Sequence, residues 1–371
     1  MSHIILASSH ATYPMSFLAY AFAKQEHHVT LVVPFRPSYE HGDHSTCLAE
    51  ARQDASISVQ DMDGANAPSC DLVFVMVTSA ASYTREQYAY LVRLLELAPT
   101  VAVVAHNWMT GVVGNLRSSI RCHRYYPAIA RRATAAAVEY RLPRMRTPFL
   151  LHRRFMIGEG PHPRYFHDTK ARNLLAAPWE PTASRPLLGN FLGTLVPRAR
   201  EKALDVVVDA LKNCGREVVE DTCNRSVDHH KPVFLRAVGR EWGKPRPKDE
   251  YLRILRSSDF TLCVPGSTLW SCRPYEAFMT GSIPVLLEEE VRDCLDVPVR
   301  DGIDAVVVRK GNWREAVSRI CRLSEEEVVA MRTEIARQSE TALSLQAWAQ
   351  RLYEKAWRSV EGARTMPLSQ R

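Results

Sequence analysis

The chain has 371 residues, which is more than one ordinary hydrophobic core accommodates, so we expect two domains. With 46% hydrophobic and 24% charged residues it has the composition of a globular protein, and no window approaches the roughly 18 apolar residues that span a bilayer. The N-terminus has no cationic region before its first strand-like segment, so we expect no signal peptide and a cytoplasmic location.

The first half of the chain alternates short apolar runs with segments of helical spacing. This alternation predicts a parallel, doubly wound α/β sheet, because strands covered on both faces are apolar throughout. The predicted strands are 4–7, 28–34, 56–59, 71–77 and 101–105, and the predicted helices are 15–24 and 85–97. The pattern is weak over 111–180, where we predict helices and loops that complete an N-terminal domain over 1–180.

A proline-rich stretch at 178–186 predicts a linker, and a second α/β set follows it over 187–323. Its predicted elements are the strands 187–194, 217–219 and 305–308, the helices 198–213 and 249–255, and a strand–turn–helix–strand unit over 257–286. The remaining segment, 324–371, has helical spacing and opens on a capping box at Ser324. It is long enough to return to the N-terminal domain.

The unit over 257–286 carries the strongest functional pattern of the chain. A buried strand leads through a turn of small residues into a helix that begins near Arg273, and Glu276 lies on the same helical face. A cation at this position can bind a diphosphate, and a carboxylate can accept hydrogen bonds from ribose hydroxyls. Strand, anion-binding turn and helix together predict half of a nucleotide site. The turn itself contains Gly266, Ser267 and Thr268, whose backbone N–H groups would line the phosphates.

The order and spacing of these residues resemble the C-terminal block of the exostosin-like (GT47-type) family of nucleotide-sugar glycosyltransferases. The matching residues are Ser258-Asp259-Phe260-Thr261-Leu262, Gly266, Ser271-Cys272-Arg273-Pro274-Tyr275-Glu276-Ala277 and Gly281-Ser282-Ile283-Pro284-Val285. The resemblance implies a GT-B fold, which has two Rossmann-like domains facing across a cleft, with the donor bound by the second domain. It also implies that Arg273 binds the donor diphosphate, that Glu276 holds the ribose, and that the donor is a UDP-sugar.

A second donor-side candidate lies where the strand 187–194 meets the next helix. Gly193 and Thr194 end the strand, and Arg198 or Arg200 follows at the start of the helix. A cation at a helix N-terminus opposes the helix dipole, so a bound anion would explain it. The alternative is that these arginines point into solvent.

Two histidines are candidates for a catalytic base. His10 follows the first predicted strand and His106 follows the strand 101–105, which places both at the carboxyl edge of the sheet. An inverting enzyme needs such a base near the acceptor hydroxyl, so either histidine could serve, or both could be hydrogen-bonded wall residues. In a retaining enzyme they would contact the acceptor only.

The sequence predicts no metal site and no cofactor. No Asp-x-Asp pair follows a predicted strand, and three consecutive carboxylates at 288–290 are interpreted as a solvated helix start. The nine cysteines are scattered without a Cys-x-x-Cys pair, which predicts reduced and mostly buried thiols rather than a zinc site or a disulfide framework.

The net charge of +7 is concentrated in one segment, because residues 117–172 contain 13 Lys/Arg and only three acids. Such an excess favours an anionic partner, which could be an acidic glycan, a phospholipid head group contacted peripherally, or nucleic acid. A solvated basic face is the alternative.

Taken together, these patterns predict a metal-independent glycosyltransferase that moves a sugar from a nucleotide-diphosphate donor to a hydroxyl acceptor such as a glycan or glycoconjugate. Two alternatives remain open at this point. One is a DNA-base glycosyltransferase that uses the segment 117–172 to bind nucleic acid. The other is a non-catalytic GT-B module that binds nucleotide or glycan without turnover.

Overall fold

A computed structural model of the chain divides into two compact units. The first unit combines residues 1–158 with 345–371, and the second unit is the continuous stretch 159–344. The structure describes residues 1–7, 13–33, 56–61, 69–77, 85–104, 133, 135–138, 154–156, 169–193, 198–221, 233–238, 247–266, 273–293, 295–343 and 345–364.

The first unit is built on a parallel sheet of apolar strands. Its strands are β1 (His3–Ala7), β2 (His28–Val33), β3 (Ile57–Asp61), β4 (Leu72–Val77), β5 (Thr100–Val104), β6 (Ala135–Val138) and β7 (Arg154–Met156). Their order across the sheet is β3-β2-β1-β4-β5-β6-β7, and neighbouring strands in this order are parallel. Residues on both faces of β1 and β4 are buried, as their uninterrupted apolar sequences predict.

The last helix of the chain packs in the first unit. The helices described there are α1 (Tyr13–Ala23), α2 (Arg85–Leu97) and, from the end of the chain, α10 (Leu345–Arg364). The hydroxyls of Ser2 and Tyr353 are 3.0 Å apart, and the ring of Tyr353 lies 6.4 Å from that of Phe22 in α1. The predicted return of the C-terminal helix to the first domain is therefore confirmed.

The second unit contains a second parallel sheet. Its strands are β8 (Leu187–Gly193), β9 (Val218–Asp221), β10 (Val233–Val238), β11 (Ser258–Leu262), β12 (Ile283–Leu287) and β13 (Val306–Val308), in the order β13-β12-β11-β8-β10-β9. The chain leaves β8 towards one side of the sheet and later places β11 on its other side. The carboxyl ends of β8 and β11 therefore form a topological switch point, which is where doubly wound sheets bind ligands.

Helices surround the second sheet. They are α3 (Thr169–Ala176), α4 (Arg198–Asn213), α5 (Lys248–Arg256), α6 (Arg273–Thr280), α7 (Glu288–Asp293), α8 (Trp313–Arg322) and α9 (Glu325–Thr341). The predicted capping box opens α9, where the Ser324 hydroxyl accepts from the Glu327 N–H and the Glu327 carboxylate accepts from the Ser324 N–H. Two Rossmann-like units with parallel sheets confirm the predicted fold class.

Several elements differ from the sequence-based expectation. The region predicted as helices and loops contributes two strands, β6 and β7, and β10 was also missed. The strand β6 is three alanines and a valine, and alanine is a poor indicator of strands, so sheet pairing rather than propensity decides its conformation. The helical end of the chain is two helices, because α9 ends at Thr341 and α10 begins at Leu345.

The proline-rich segment 178–186 is part of the second unit and packs within it. Trp179 lies under Gly281, which has φ +72°, so closely that a Cβ on Gly281 would be 2.4 Å from the indole. The Arg332 guanidinium donates to the carbonyl oxygens of Pro181 and Ala183, and it forms a 2.8 Å ion pair with Asp259. The segment is thus held by buried contacts rather than left as a free linker.

Among the residues that the structure describes, no helix is long and apolar enough to cross a bilayer. Four cysteines can be assessed: Cys263 is buried, Cys70 and Cys321 are partly exposed and Cys214 is exposed. All four are free thiols, as predicted, but the prediction that the thiols are mostly buried is wrong for this group.

Candidate functional site

Two arginines and two glycines that the sequence singled out lie together at the switch point of the second sheet. Gly193 is the last residue of β8, and Gly266 lies four residues beyond the end of β11. Arg200 is in the first turn of α4, and Arg273 is the first residue of α6. The site is therefore assembled from two strand ends and two helix starts, which present backbone N–H groups and the positive ends of helix dipoles.

Arg273 is held against the end of β8. Its Nη2 donates a 2.6 Å hydrogen bond to the carbonyl oxygen of Leu192, and its Cζ lies 5.0 Å from the centre of the Phe191 ring. A Cβ at Gly193 would be 3.0 Å from Nη2 of Arg273, which is tighter than an ordinary contact, so a larger residue would displace the guanidinium slightly. The glycine that ends the strand makes room for the guanidinium.

Arg200 reaches the same ring from α4. Its Nε donates a 3.0 Å hydrogen bond to the carbonyl oxygen of Pro265, and its Cζ lies 5.8 Å from the centre of the Phe191 ring. A Cβ on Gly266 would be only 2.6 Å from Nη2 of Arg200. Phe191 therefore serves as a shared apolar and cation–π platform for two guanidinium groups.

The positive charges of Arg200 and Arg273 repel each other. Burial, and then the charge of Arg273, lower the pKa of Arg200 to about 10, while Glu290 acts in the opposite direction. Burial also tends to lower the pKa of Arg273, but Tyr251, Cys263 and Glu276 more than offset it and the net direction is upward. Two cations held this close in a partly desolvated site favour an anionic ligand.

Glu276 lies three residues after Arg273 in α6, and this residue is 1% exposed. The hydroxyl of Tyr251 in α5 donates a 2.6 Å hydrogen bond to its Oε2. Tyr251 also acts to raise the pKa of Arg273, so it influences both charged residues of the site. Sequence reasoning missed Tyr251 and Phe191, because neither residue type is diagnostic and their contacts with Glu276 and Arg273 span 25 and 82 positions of the chain.

The acidic run at 288–290 is only partly solvated. Glu288 is exposed, but Glu290 is 0% exposed and its charge acts on both Arg200 and Cys263. The expectation of a solvated helix start is therefore wrong for Glu290, because α7 turns this residue towards the interior beside the basic site. Among the described residues no group of three His, Cys, Asp or Glu could hold a metal ion.

Arg198 is the other described candidate, and it is exposed to solvent on α4, outside this cluster. The remaining candidates lie outside the described residues: His10, His106, Thr194, Ser267, Thr268 and Ser271. Most of the basic segment 117–172 also lies outside the described residues.

Solved structures with the same architecture identify the fold. The chain is similar to the sucrose-phosphate synthase of Thermosynechococcus elongatus, with a TM-score of 0.51 and 13% identity over 98% of this chain and 100% of that chain. It is also similar to a variant of S. aureus TarM in complex with fondaparinux, alpha-GlcNAc-glycerol and UDP, with a TM-score of 0.50 and 7% identity over 96% and 100% of the two chains. These likenesses define a GT-B fold, the class of two-domain glycosyltransferases.

The family comparison narrows this class. Residues 150–323 match the family model of the Exostosin GT47 domain, which covers the switch-point cluster from Phe191 to Glu290. The resemblance to the exostosin-like family is confirmed over this segment, and it supports glycosyl transfer as the general activity. No curated protein sequence matches the chain significantly. No comparison supports contact with nucleic acid or with a membrane.

Proposed function

We propose that this protein transfers a sugar from a nucleoside-diphosphate sugar, a UDP-sugar in the first instance, to a hydroxyl group of a glycan or glycoconjugate. The observation that carries the proposal is the pair Arg200 and Arg273, two guanidinium groups packed on one phenylalanine at the switch point of the second sheet. Such a pair fits a diphosphate, because the oxygens of a diphosphate can accept hydrogen bonds from both guanidinium groups.

The same pair would also stabilise the leaving group. When the bond between the sugar and the diphosphate breaks, negative charge develops on the phosphate oxygen that remains with the nucleotide. Cations that are already in place neutralise this charge without reorganising water. We therefore propose that Arg200 and Arg273 supply the charge that a divalent metal supplies in other sugar transferases, and that transfer needs no metal and no cofactor.

Glu276 and the loop residues complete the proposed donor site. The carboxylate of Glu276 lies one helical turn from Arg273, so a nucleotide whose diphosphate contacts Arg273 would bring its ribose hydroxyls towards Glu276. Backbone N–H groups of Gly266, Ser267 and Thr268 would contact the phosphates, and Gly193, Thr194 and Ser271 remain candidates for the same pocket. His10 or His106 would activate the acceptor if transfer inverts the sugar.

The S. aureus TarM structure supports this interpretation indirectly. That protein has the same fold, and its complex contains UDP together with sugar ligands. For this chain, the identity of the donor nucleotide and the identity of the acceptor are both proposals. The pair of arginines favours an anionic ligand over a neutral glycan, and turnover is what distinguishes an enzyme from a module that only binds nucleotide.

Release of nucleotide from the donor tests the proposal directly. The purified protein is incubated with UDP-, GDP- and dTDP-sugars, and free nucleotide from slow donor hydrolysis is measured with and without EDTA. We expect release from at least one donor, unchanged by EDTA, and loss of release in Arg273→Ala. Arg253→Ala is the matched control, because Arg253 is an exposed arginine of α5 whose ion pair with Asp249 lies at the surface.

Two results would overturn parts of the proposal. Turnover by Arg273→Ala at the wild-type rate would remove the diphosphate role of this residue. If the wild-type protein neither hydrolyses nor binds any nucleotide sugar of the panel, the proposed function itself is wrong.

A further inference from the structure

The hydroxyl of Tyr251 binds the carboxylate of α6. It donates its one hydrogen to Oε2 of Glu276 at 2.6 Å. The tyrosine also acts to raise the pKa of Arg273, the other charged residue of the site. Tyr251 therefore contacts Glu276 directly and lies in the electrostatic environment of Arg273.

Tyr251 comes from a different helix than Glu276 and Arg273. It lies in the first half of α5, and α5 packs against α6. The next residue, Leu252, is 0% exposed and fixes α5 in the interior. The hydroxyl is thus carried by a rigid element, whereas Arg273 and Glu276 have long side chains with several rotatable bonds.

Burial makes this contact important for the carboxylate. Glu276 is 1% exposed, so water cannot replace a lost hydrogen bond at its Oε2 without a rearrangement. A donor on a short, rigid side chain fixes the orientation of such a carboxylate, and with it the direction in which the carboxylate meets a ligand.

We propose that Tyr251 is a positioning residue that holds Glu276 in the geometry required for the ribose of a nucleotide whose diphosphate contacts Arg273. This inference rests on the proposed function, since it assigns the nucleotide to the same site. Tyr251 acts through Glu276 and does not take part in the sugar transfer itself. Its effect is on affinity for the nucleotide and on recognition of the ribose.

Ribose recognition gives the most specific consequence. If Tyr251 orients Glu276 towards the ribose, the protein discriminates between UDP and its 2′-deoxy and 3′-deoxy analogues, because the analogue that lacks the contacted hydroxyl does not supply the hydrogen bond that the ribose gives the carboxylate. Without the Tyr251 hydroxyl the orientation of the carboxylate is less fixed, and this discrimination weakens. A residue that only stabilises the fold would change the affinity for all analogues equally.

The test compares Tyr251→Phe with Tyr275→Phe. Both changes remove one hydroxyl from the second unit, but that of Tyr275 accepts from the backbone N–H of Asp296 at 3.4 Å, away from Arg273 and Glu276. Binding of UDP, 2′-deoxy-UDP, 3′-deoxy-UDP and GDP is measured by calorimetry, with thermal melting as a check on folding. We expect Tyr251→Phe to lose about tenfold in UDP affinity and most of the discrimination between UDP and one deoxy analogue, and Tyr275→Phe to keep both.

A double variant separates positioning from general damage. If Tyr251 acts through Glu276, the combination of Tyr251→Phe with Glu276→Gln loses no more affinity than Glu276→Gln alone. Additive losses, or equal UDP affinity and unchanged discrimination in Tyr251→Phe and Tyr275→Phe, would overturn the inference. If the wild-type protein binds neither UDP nor GDP, the proposed function fails first, and that result is distinct from either outcome.

Discussion

Arg200 lies so close to Gly266 that a Cβ on residue 266 would be 2.6 Å from Nη2 of the arginine. The contact involves the far end of a flexible side chain, so a larger residue would displace the guanidinium rather than the backbone. A glycine in the turn after β11 therefore determines where a cation of α4 is placed, although the two residues are 66 positions apart.

Gly266→Ala is expected to weaken UDP binding by about tenfold, because the added methyl group moves Arg200 out of its place beside Arg273. The melting temperature should change little, since the arginine can yield. Calorimetry and thermal melting measure the two effects. Gly362→Ala in α10 is the control, because a Cβ there meets nothing within 4 Å, and it should leave UDP affinity as in the wild type. Equal affinity in both variants would contradict the assignment of Arg200.

Phe191→Leu is expected to reduce nucleotide affinity beyond its effect on stability. The ring is 0% exposed and carries both guanidinium groups, so its loss costs packing, about 1–2 kcal/mol, and also releases the two arginines. Phe234→Leu is the matched change, since Phe234 is 3% exposed in the same core and contacts Gly189 rather than an arginine. Urea unfolding should give similar losses for both, and only Phe191→Leu should bind UDP weakly. Similar UDP affinities would remove the platform role.

Arg200→Met is expected to separate stability from function. Burial and the charge of Arg273 lower the pKa of Arg200 to about 10, so the charged form is disfavoured in the folded state. Below pH 10 the arginine is charged in both the folded and the unfolded state, and this penalty is fully present; it is relieved only as the pH rises through 10. Removing the charge should therefore raise the free energy of unfolding by about 1 kcal/mol at neutral pH, after the lost hydrogen bond to Pro265 is subtracted, while UDP binding is lost.

Arg198→Met on the same helix is the control for the expected gain in stability of Arg200→Met. Arg198 is exposed, so its replacement should change stability by no more than about 0.5 kcal/mol in either direction. A loss of stability in Arg200→Met as large as that of a core truncation would show that the two arginines do not strain each other.

Arg332→Ala is expected to destabilise the second unit by about 3 kcal/mol, because it leaves the partly buried Asp259 without its ion-pair partner. Arg337→Ala on the same helix should cost less than about 1 kcal/mol, since its ion pair with Glu334 is exposed. Urea unfolding at pH 7.5 measures both.

Burial raises the pKa of Asp259 even with Arg332 present, and loss of Arg332 raises this pKa further. Uptake of a proton then stabilises the folded variant, so its deficit should shrink as the pH falls towards 5. Equal deficits for the two variants would contradict this account.

Local patterns were sufficient to predict much of the fold. Helix α2 coincides with the predicted segment 85–97, and α4 coincides with 198–213, where Gly215 with φ +70° ends the helical run. These elements have strong helical spacing or a clear terminator. The strands β6 and β10 lacked such signals, and only the neighbouring strands of the sheet define them.

The residues of the site also fall into a group that the sequence could predict and a group that it could not. Arg200, Arg273, Gly193 and Gly266 could be predicted as donor-side candidates, because each lies at a strand end or a helix start that the sequence reveals. Tyr251 and Phe191 could not, since their roles arise from packing between elements. Glu290 was misjudged because three adjacent carboxylates give no indication of which one faces the interior.

The position of α10 has a consequence for the order in which the chain can fold. Trp348, Leu352 and Val360 are buried within the first unit, so its core is incomplete until residues 345–364 have been synthesised. The second unit is one continuous stretch and is fully synthesised earlier. During translation the second unit therefore emerges whole from the ribosome, while the first sheet, although synthesised first, has to wait for the last helix to cover it.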